Sequence, residues 1–221
     1  MMNPEIILKS KKTILFAEKR RMTSIVIGSP HHAPGGVEKL KCNEHLESDE
    51  NSGIIARRVA EKLHVSSIIA CNYHIDANKS LGTDYSLQII KWKPKYLIEI
   101  HGHGGRIKDN HEHLNTKDKA EKAIEISSGS DVNNELSKKF AAVLQDKLNE
   151  NSELKFLTVH GDLGKIYFKA SDSATIVCGN WKALHIELPP KLRKRNGGKE
   201  LPEIANDFID ILAEIIEKVC K

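Results

Sequence analysis

At 221 residues, with hydrophobic residues at 39% and charged residues at 29%, the chain can bury a sizeable core and is too polar for a membrane or low-complexity class. Its formal net charge of +4 is modest and its Lys and Arg interleave with Asp and Glu, which argues against a nucleic-acid-binding surface; no apolar run approaches the ~18–20 residues of a membrane span. Four scattered cysteines (Cys42, Cys71, Cys178, Cys220) form no CxxC pair, and Met1 to Thr13 lacks the apolar stretch of a signal peptide, so the expectation is reduced thiols in a cytoplasmic protein.

Two β-rich runs open the chain, 13–17 and 24–28, joined by a basic turn. Glycine and proline then mark a loop over 31–36. A helix is predicted from about Glu50 to Leu63, with Ser48 or Asp49 as N-cap and Ile54, Ile55, Val59 and Leu63 inward. A short apolar strand over 67–71 leads to the loop Ile75-Asp76-Ala77-Asn78-Lys79, a short helix at 84–91 and a buried-type strand at 96–100. Residues 106–122 are polar and without clear periodicity, and suggest a loop or flap over a site. An amphipathic helix at 133–148, strands at 155–159, 174–177 and 183–188, and a final helix at 201–219 complete the pattern. The basic run Lys191–Arg195 has no interleaved aromatics and reads as a solvated loop. Strands alternating with helices predict one domain, residues 1–221, of the α/β class: three layers, α/β/α, around a central, mostly parallel mixed sheet.

Histidines follow two predicted strands, as Ser29-Pro30-His31-His32 and Ile100-His101-Gly102-His103-Gly104-Gly105. A side chain at a strand end is held stiffly at the rim of a sheet, where open α/β sheets build their sites, and imidazole is the commonest protein ligand for a transition metal. His31 and His32 are both candidates. His101 is the nearer of its pair to the rigid strand and is taken as a ligand, leaving His103 for the substrate or for a supporting place behind the ligands. An acidic cluster, Ser48-Asp49-Glu50-Asn51, opens the first long helix and supplies a carboxylate, Glu50 preferred and Asp49 its rival. Two His and one carboxylate, with a fourth position for water, is the ligand set of a hydrolytic zinc site. Glu187, within His185-Ile186-Glu187-Leu188, is an acid on an otherwise apolar strand and a candidate general base. Asp76 is placed to orient a ligand histidine or the cation, and Asn78 and Lys79 to grip a substrate carboxylate. Lys79, Arg57 and Arg106 are candidate cations for a carboxylate or a developing oxyanion, His160 is a peripheral candidate, and the segment from His101 to His113 has enough imidazoles for a second metal ion.

The order Ser-Pro-His, Asp-Glu-Asn-Ser-Gly-Ile-Ile-Ala, Ile-Asp-Ala-Asn-Lys, Ile-His-Gly-His-Gly-Gly and Ile-Glu-Leu, over roughly residues 25–190, resembles the N-formylglutamate amidohydrolase family. The resemblance implies the fold shared with zinc carboxypeptidases and the aspartoacylase group. It implies one zinc per chain on His31, Glu50 (or Asp49) and His101, with Glu187 as general base. It also implies cleavage of a C–N amide bond in a small N-acylated or acidic amino acid, or a short peptide with a carboxylate. Lys79 stands where the family's Asp-Leu-Asn-Arg segment has Arg, so a bidentate fork becomes a point charge. The alternatives are a non-catalytic metal-binding relative of this fold and, from the His101–Gly105 loop, a phosphate- or nucleotide-binding module.

Overall fold

The computed structural model describes residues 4–37, 48–194 and 200–220. The elements run α1 (Pro4–Leu8), β1 (Ile14–Glu18), β2 (Met22–Ala33), β3 (Asp49–Glu50), α2 (Ser52–Leu63), β4 (Val65–Cys71), α3 (Asp84–Trp92), β5 (Tyr96–Gly102), α4 (Lys117–Ala120), β6 (Ala123–Ser127), α5 (Asn134–Glu150), β7 (Thr158–His160), α6 (Ala174–Val177), β8 (Lys182–Leu188), α7 (Pro190–Arg193) and α8 (Ile204–Val219). They build one eight-stranded mixed sheet in the order β1-β4-β2-β5-β8-β6-β7, with β3 beside β2. The centre, β4-β2-β5-β8, is parallel. β1 runs antiparallel to β4 and β6 antiparallel to β8.

Every residue of β4 is buried, as are all of β5 but its last, which fits parallel strands covered on both faces. Side chains alternate between those faces. Tyr96, Ile98 and Ile100 of β5 and Leu184, Ile186 and Leu188 of β8 join a core with α2, α5 and α8, through Ile55, Val59, Phe140, Leu144, Phe208 and Leu212 among others. Leu97 and Ala183 face the opposite way, against Tyr85, Ile89 and Trp92 of α3 and Ile176 of α6. Glu99, His101, His185 and Glu187 share that second face by alternation, so the polar residues of these two strands collect on one side of the sheet at the strands' C-terminal ends.

Among the departures from the sequence-based expectation, four shape the sheet and the site. Strand β2 continues to Ala33 through an irregularity between Ser29 and His32, so both histidines lie in the strand rather than past it. Asp49 and Glu50 form the two-residue β3, and α2 starts at Ser52 behind Asn51, whose φ of 62° is left-handed; neither Ser48 nor Asp49 is the N-cap. Residues 174–177 are helical, not a strand: a four-residue apolar run has no period to separate the two, and here Ile176 plugs the second core. Strand β6 carries Glu125 in Ala-Ile-Glu-Ile-Ser and was not anticipated, because its inward acid disguises a fully buried strand. Of the cysteines, Cys71, Cys178 and Cys220 are free thiols, and Cys42 lies outside the described residues.

Candidate metal centre and active site

Three strand ends converge on one carboxylate. Asp49 Oδ2 lies 3.2 Å from His101 Nδ1 and 3.5 Å from His31 Nδ1, and the three ligand atoms fall within 4.8 Å of one another. Each imidazole gives its other nitrogen to a second carboxylate. His31 Nε2 lies 2.7 Å from Asp76 Oδ1, and His101 Nε2 lies 3.4 Å from Glu99 Oε2. Such partners fix the ring orientation and leave Nδ1 as the electron-rich atom facing Asp49. A second group of close donors, Glu99, His101 and His185, shares His101. It is the poorer ligand set, because Glu99 already accepts from Tyr85 Oη (3.0 Å), Thr175 Oγ1 (2.8 Å) and Asn78 Nδ2 (3.0 Å). That network needs Gly28: a Cβ there would lie 2.1 Å from Tyr85 Oη. Neither group includes His111 or His113, so the close donor sets among the described residues centre on His101.

Burial and mutual attraction set the charges of these groups. Burial would raise the Asp49 carboxyl, yet hydrogen bonds and charge from His101 and His31 hold it well below the usual range. Burial works against protonation of His101, but Asp49 and Glu99 push it up to about 10. Burial is likewise overcome at His31 by Asp49 and Asp76, which raise it. Glu99 and Glu187 are both held low, against burial, chiefly by His101 and His185 respectively. The buried acids and the two imidazoles thus favour each other's charged forms, and a divalent cation on the same Nδ1 and Oδ2 atoms would balance the acids in the same way. The donor set, two imidazoles and a carboxylate, suits zinc.

Glu187 faces His101 across the β5–β8 register. Its Oε1 accepts from His185 Nε2 at 3.0 Å, while its buried Oε2 has no hydrogen-bond partner among the described residues. The His185 ring stacks on His101 with centroids 3.9 Å apart. A pocket of about 210 Å³ opens over the cluster, lined by His31, Asp76, Asn78, Lys79, His101, Phe168, Ala170, Ser173, His185 and Glu187.

Of the residues singled out from sequence, His31, His101, Glu187, Asp76, Asn78 and Lys79 therefore meet at one pocket. Glu50 does not. Neighbours on a strand point to opposite sides, and the Glu50 carboxylate pairs with Lys194 Nζ at 3.1 Å while Asp49 turns inward. His32, by the same alternation, faces away and meets Leu8 O at 2.9 Å; burial lowers it to about 4. His103 is also diverted: Nε2 meets Ala123 O (2.8 Å), Nδ1 accepts from Gly105 N (3.2 Å), and its ring stacks on Phe168. It supports the pocket wall from behind instead of reaching into the pocket. Asn78 spends Nδ2 on Glu99 and on Ser173 Oγ (3.2 Å), leaving an acceptor, Oδ1, which cannot grip a carboxylate. Arg57 pairs with Glu61 on α2, and exposed Arg106 is not among the pocket-lining residues.

The segment 106–122 is not a flap over this pocket. Residues 110–113, 118, 119 and 122 line a separate groove of about 810 Å³ with Phe156, Thr158, His160, Gly164 and Lys165. The pocket's outer wall comes from 168–173 instead. Three buried residues escaped the sequence reading, Glu99, His185 and Arg193, and Asp49, there the rival acid, takes the place preferred for Glu50. Arg193 is 1% exposed, which overturns the solvated-loop reading at that position. The available signal was alternation, since Glu99-x-His101 and His185-x-Glu187 each place two titratable groups on one strand face.

No family model matches the sequence, and no curated protein matches it. Solved structures do resemble its fold. A bacteriophage poly-gamma-glutamate hydrolase superposes with a TM-score of 0.57 at 13% identity, covering 93% of this chain and 88% of that one. N-formylglutamate amidohydrolase from Ralstonia eutropha JMP134 gives 0.52 at 12%, covering 95% and 97%. The chain has the α/β fold of these proteins.

Proposed function

We propose that this protein is a zinc-dependent hydrolase of C–N amide bonds, with one zinc per chain held by His31, Asp49 and His101. The observation that carries this reading is the convergence of two Nδ1 atoms and one carboxylate oxygen, each imidazole backed by a further acid. The metal, when bound, supplies Lewis-acid polarisation of the amide carbonyl. The chain's own residues supply the rest. Glu187 is ionised, and its unpartnered Oε2 takes the proton of the attacking water and delivers it to the leaving nitrogen. His185 holds the other oxygen and fixes the carboxylate's orientation. Lys79, exposed at the rim, binds a substrate carboxylate as a point charge. Asn78 Oδ1 is available to accept a substrate N–H.

Both structural neighbours are, by name, hydrolases of glutamate derivatives. A small pocket with a single cation at its rim fits the same class: an N-acylated or acidic amino acid, or a short peptide ending in a carboxylate. The test is elemental analysis with a panel of N-acyl amino acids and acidic dipeptides. The expected result is about one zinc per chain and chelator-sensitive hydrolysis, with KM raised in Lys79→Ala. A protein that takes up no zinc, or one whose His101→Ala variant retains it fully, overturns the reading.

A further inference from the structure

Arg193 closes the short helix α7, just after β8, and its side chain runs back beneath the site. Its guanidinium donates to three carbonyl oxygens: Nη1 to Glu50 O (2.7 Å), Nη2 to His103 O (2.7 Å) and Nε to Leu188 O (3.1 Å). Each of those carbonyls belongs to a different strand end. Glu50 follows Asp49 in β3, His103 lies two residues past His101 of β5, and Leu188 follows Glu187 in β8. The backbone of Arg193 is tied in turn, since Asn51 Nδ2 donates to its carbonyl at 2.8 Å. The seat is cut to size: a Cβ on Gly102 would lie 2.0 Å from the Arg193 Cζ.

We propose that Arg193 is the positioning residue of this site, one planar guanidinium fixing the relative placement of the three strand ends that carry Asp49, His101 and Glu187. The inference rests on the metal-site reading above. Only arginine suits the role, because its donors form a rigid fork able to reach three acceptors at once, whereas a lysine ammonium would move to one of them. Strand β3 is the shortest of the three. Among the described residues it pairs with β2 through His32–Asp49 and Ala33–Glu50, and the bond from Arg193 to the Glu50 carbonyl joins those from Ser52 Oγ to Asp49 O (2.8 Å) and from Asn51 N to Ala33 O (2.9 Å) in holding this end of the chain.

The test compares Arg193→Lys and Gly102→Ala, which keeps the arginine but displaces it, with Lys191→Met as control. Zinc affinity is read by chelator competition, ligand geometry by the visible spectrum of the cobalt-loaded protein, and the metal-free site by the imidazole nitrogen signals of His31 and His101. Both variants should bind zinc about tenfold to a hundredfold more weakly, with displaced cobalt bands, while the control matches the wild type. Wild-type affinity and cobalt spectrum in both overturn the inference; should one variant fail to fold, the other decides. If the wild type binds no zinc, the metal-site reading falls, and the imidazole signals decide alone: shifted in the variants, the clasp stands; unchanged, it falls too.

Discussion

Asp49 and Glu50 are adjacent in the chain, yet their carboxylates serve separate partners. Asp49 sits between His31 and His101, and Glu50 reaches Lys194 at the half-exposed surface. Asp49→Ala should therefore abolish stoichiometric zinc binding, while Glu50→Ala should keep it and lose only a surface ion pair of about 1 kcal/mol or less. Zinc content after gel filtration separates the two. The reverse pattern would return the ligand role to Glu50.

Glu187→Gln keeps the shape and the bond to His185 but removes the base. It should hold zinc normally and lose kcat by about 10²–10⁴-fold, with KM little changed. Steady-state kinetics on the metal-loaded variant checks this, and an active variant would remove Glu187 from proton transfer.

Asp76 acts through His31, accepting from Nε2 at 2.7 Å. Asp76→Asn should preserve the fold and weaken zinc binding by roughly tenfold to a hundredfold. Competition titration with a chromogenic chelator measures it; unaltered affinity would show that ring orientation needs no help from this loop.

His160 lies in the separate groove, stacked on His113 at 4.0 Å, with its Nε2 buried and unpartnered among the described residues. Burial, with His113 charge adding to it, lowers the imidazole to about 4. The folded form therefore stays neutral where the unfolded chain takes a proton near 6.5, so the unfolded state binds more protons between those values. The residue's contribution is intact above about 6.5 and is lost as pH falls towards about 4. Denaturant unfolding of the metal-free protein at pH 7 and pH 5 should show a smaller acid loss in His160→Gln than in the wild type. Equal losses would place the pH sensitivity elsewhere.

Sequence periodicity made the frame and half of the site legible, for physical reasons visible residue by residue. Strand β5 carries His101 one residue before its end and β8 carries Glu187 one residue before its own, each behind a mostly apolar run, so burial itself announces a polar group held at a rim. The choice between Asp49 and Glu50 was not legible, because two-residue β3 carries no period and its facing is set by pairing with β2, a tertiary event. Arg193 was hidden inside Lys-Leu-Arg-Lys, where charge suggests solvent; its burial follows from three carbonyls that exist only once three strands have met. His103 failed in the opposite direction. Its glycine-rich surroundings suggested a substrate loop, whereas Ala123 and Phe168 on distant segments claim the ring.

The spacing of the proposed zinc-binding atoms has a consequence for how a cation would arrive. Asp49 and His101 stand 52 positions apart, and His31 comes from a third strand with Asp76 behind it, 45 positions on. His31 and Asp49 lie on the paired strands β2 and β3, but His101 is 52 positions beyond Asp49, so the full set of three donors forms only once β5 has joined β2 and the loops between them have lost their freedom. Small zinc-nucleated modules fold around their metal; here the scaffold must come first. Capture is thus a late, reversible loading step on finished architecture, and a chelated chain should remain folded and ready to be refilled.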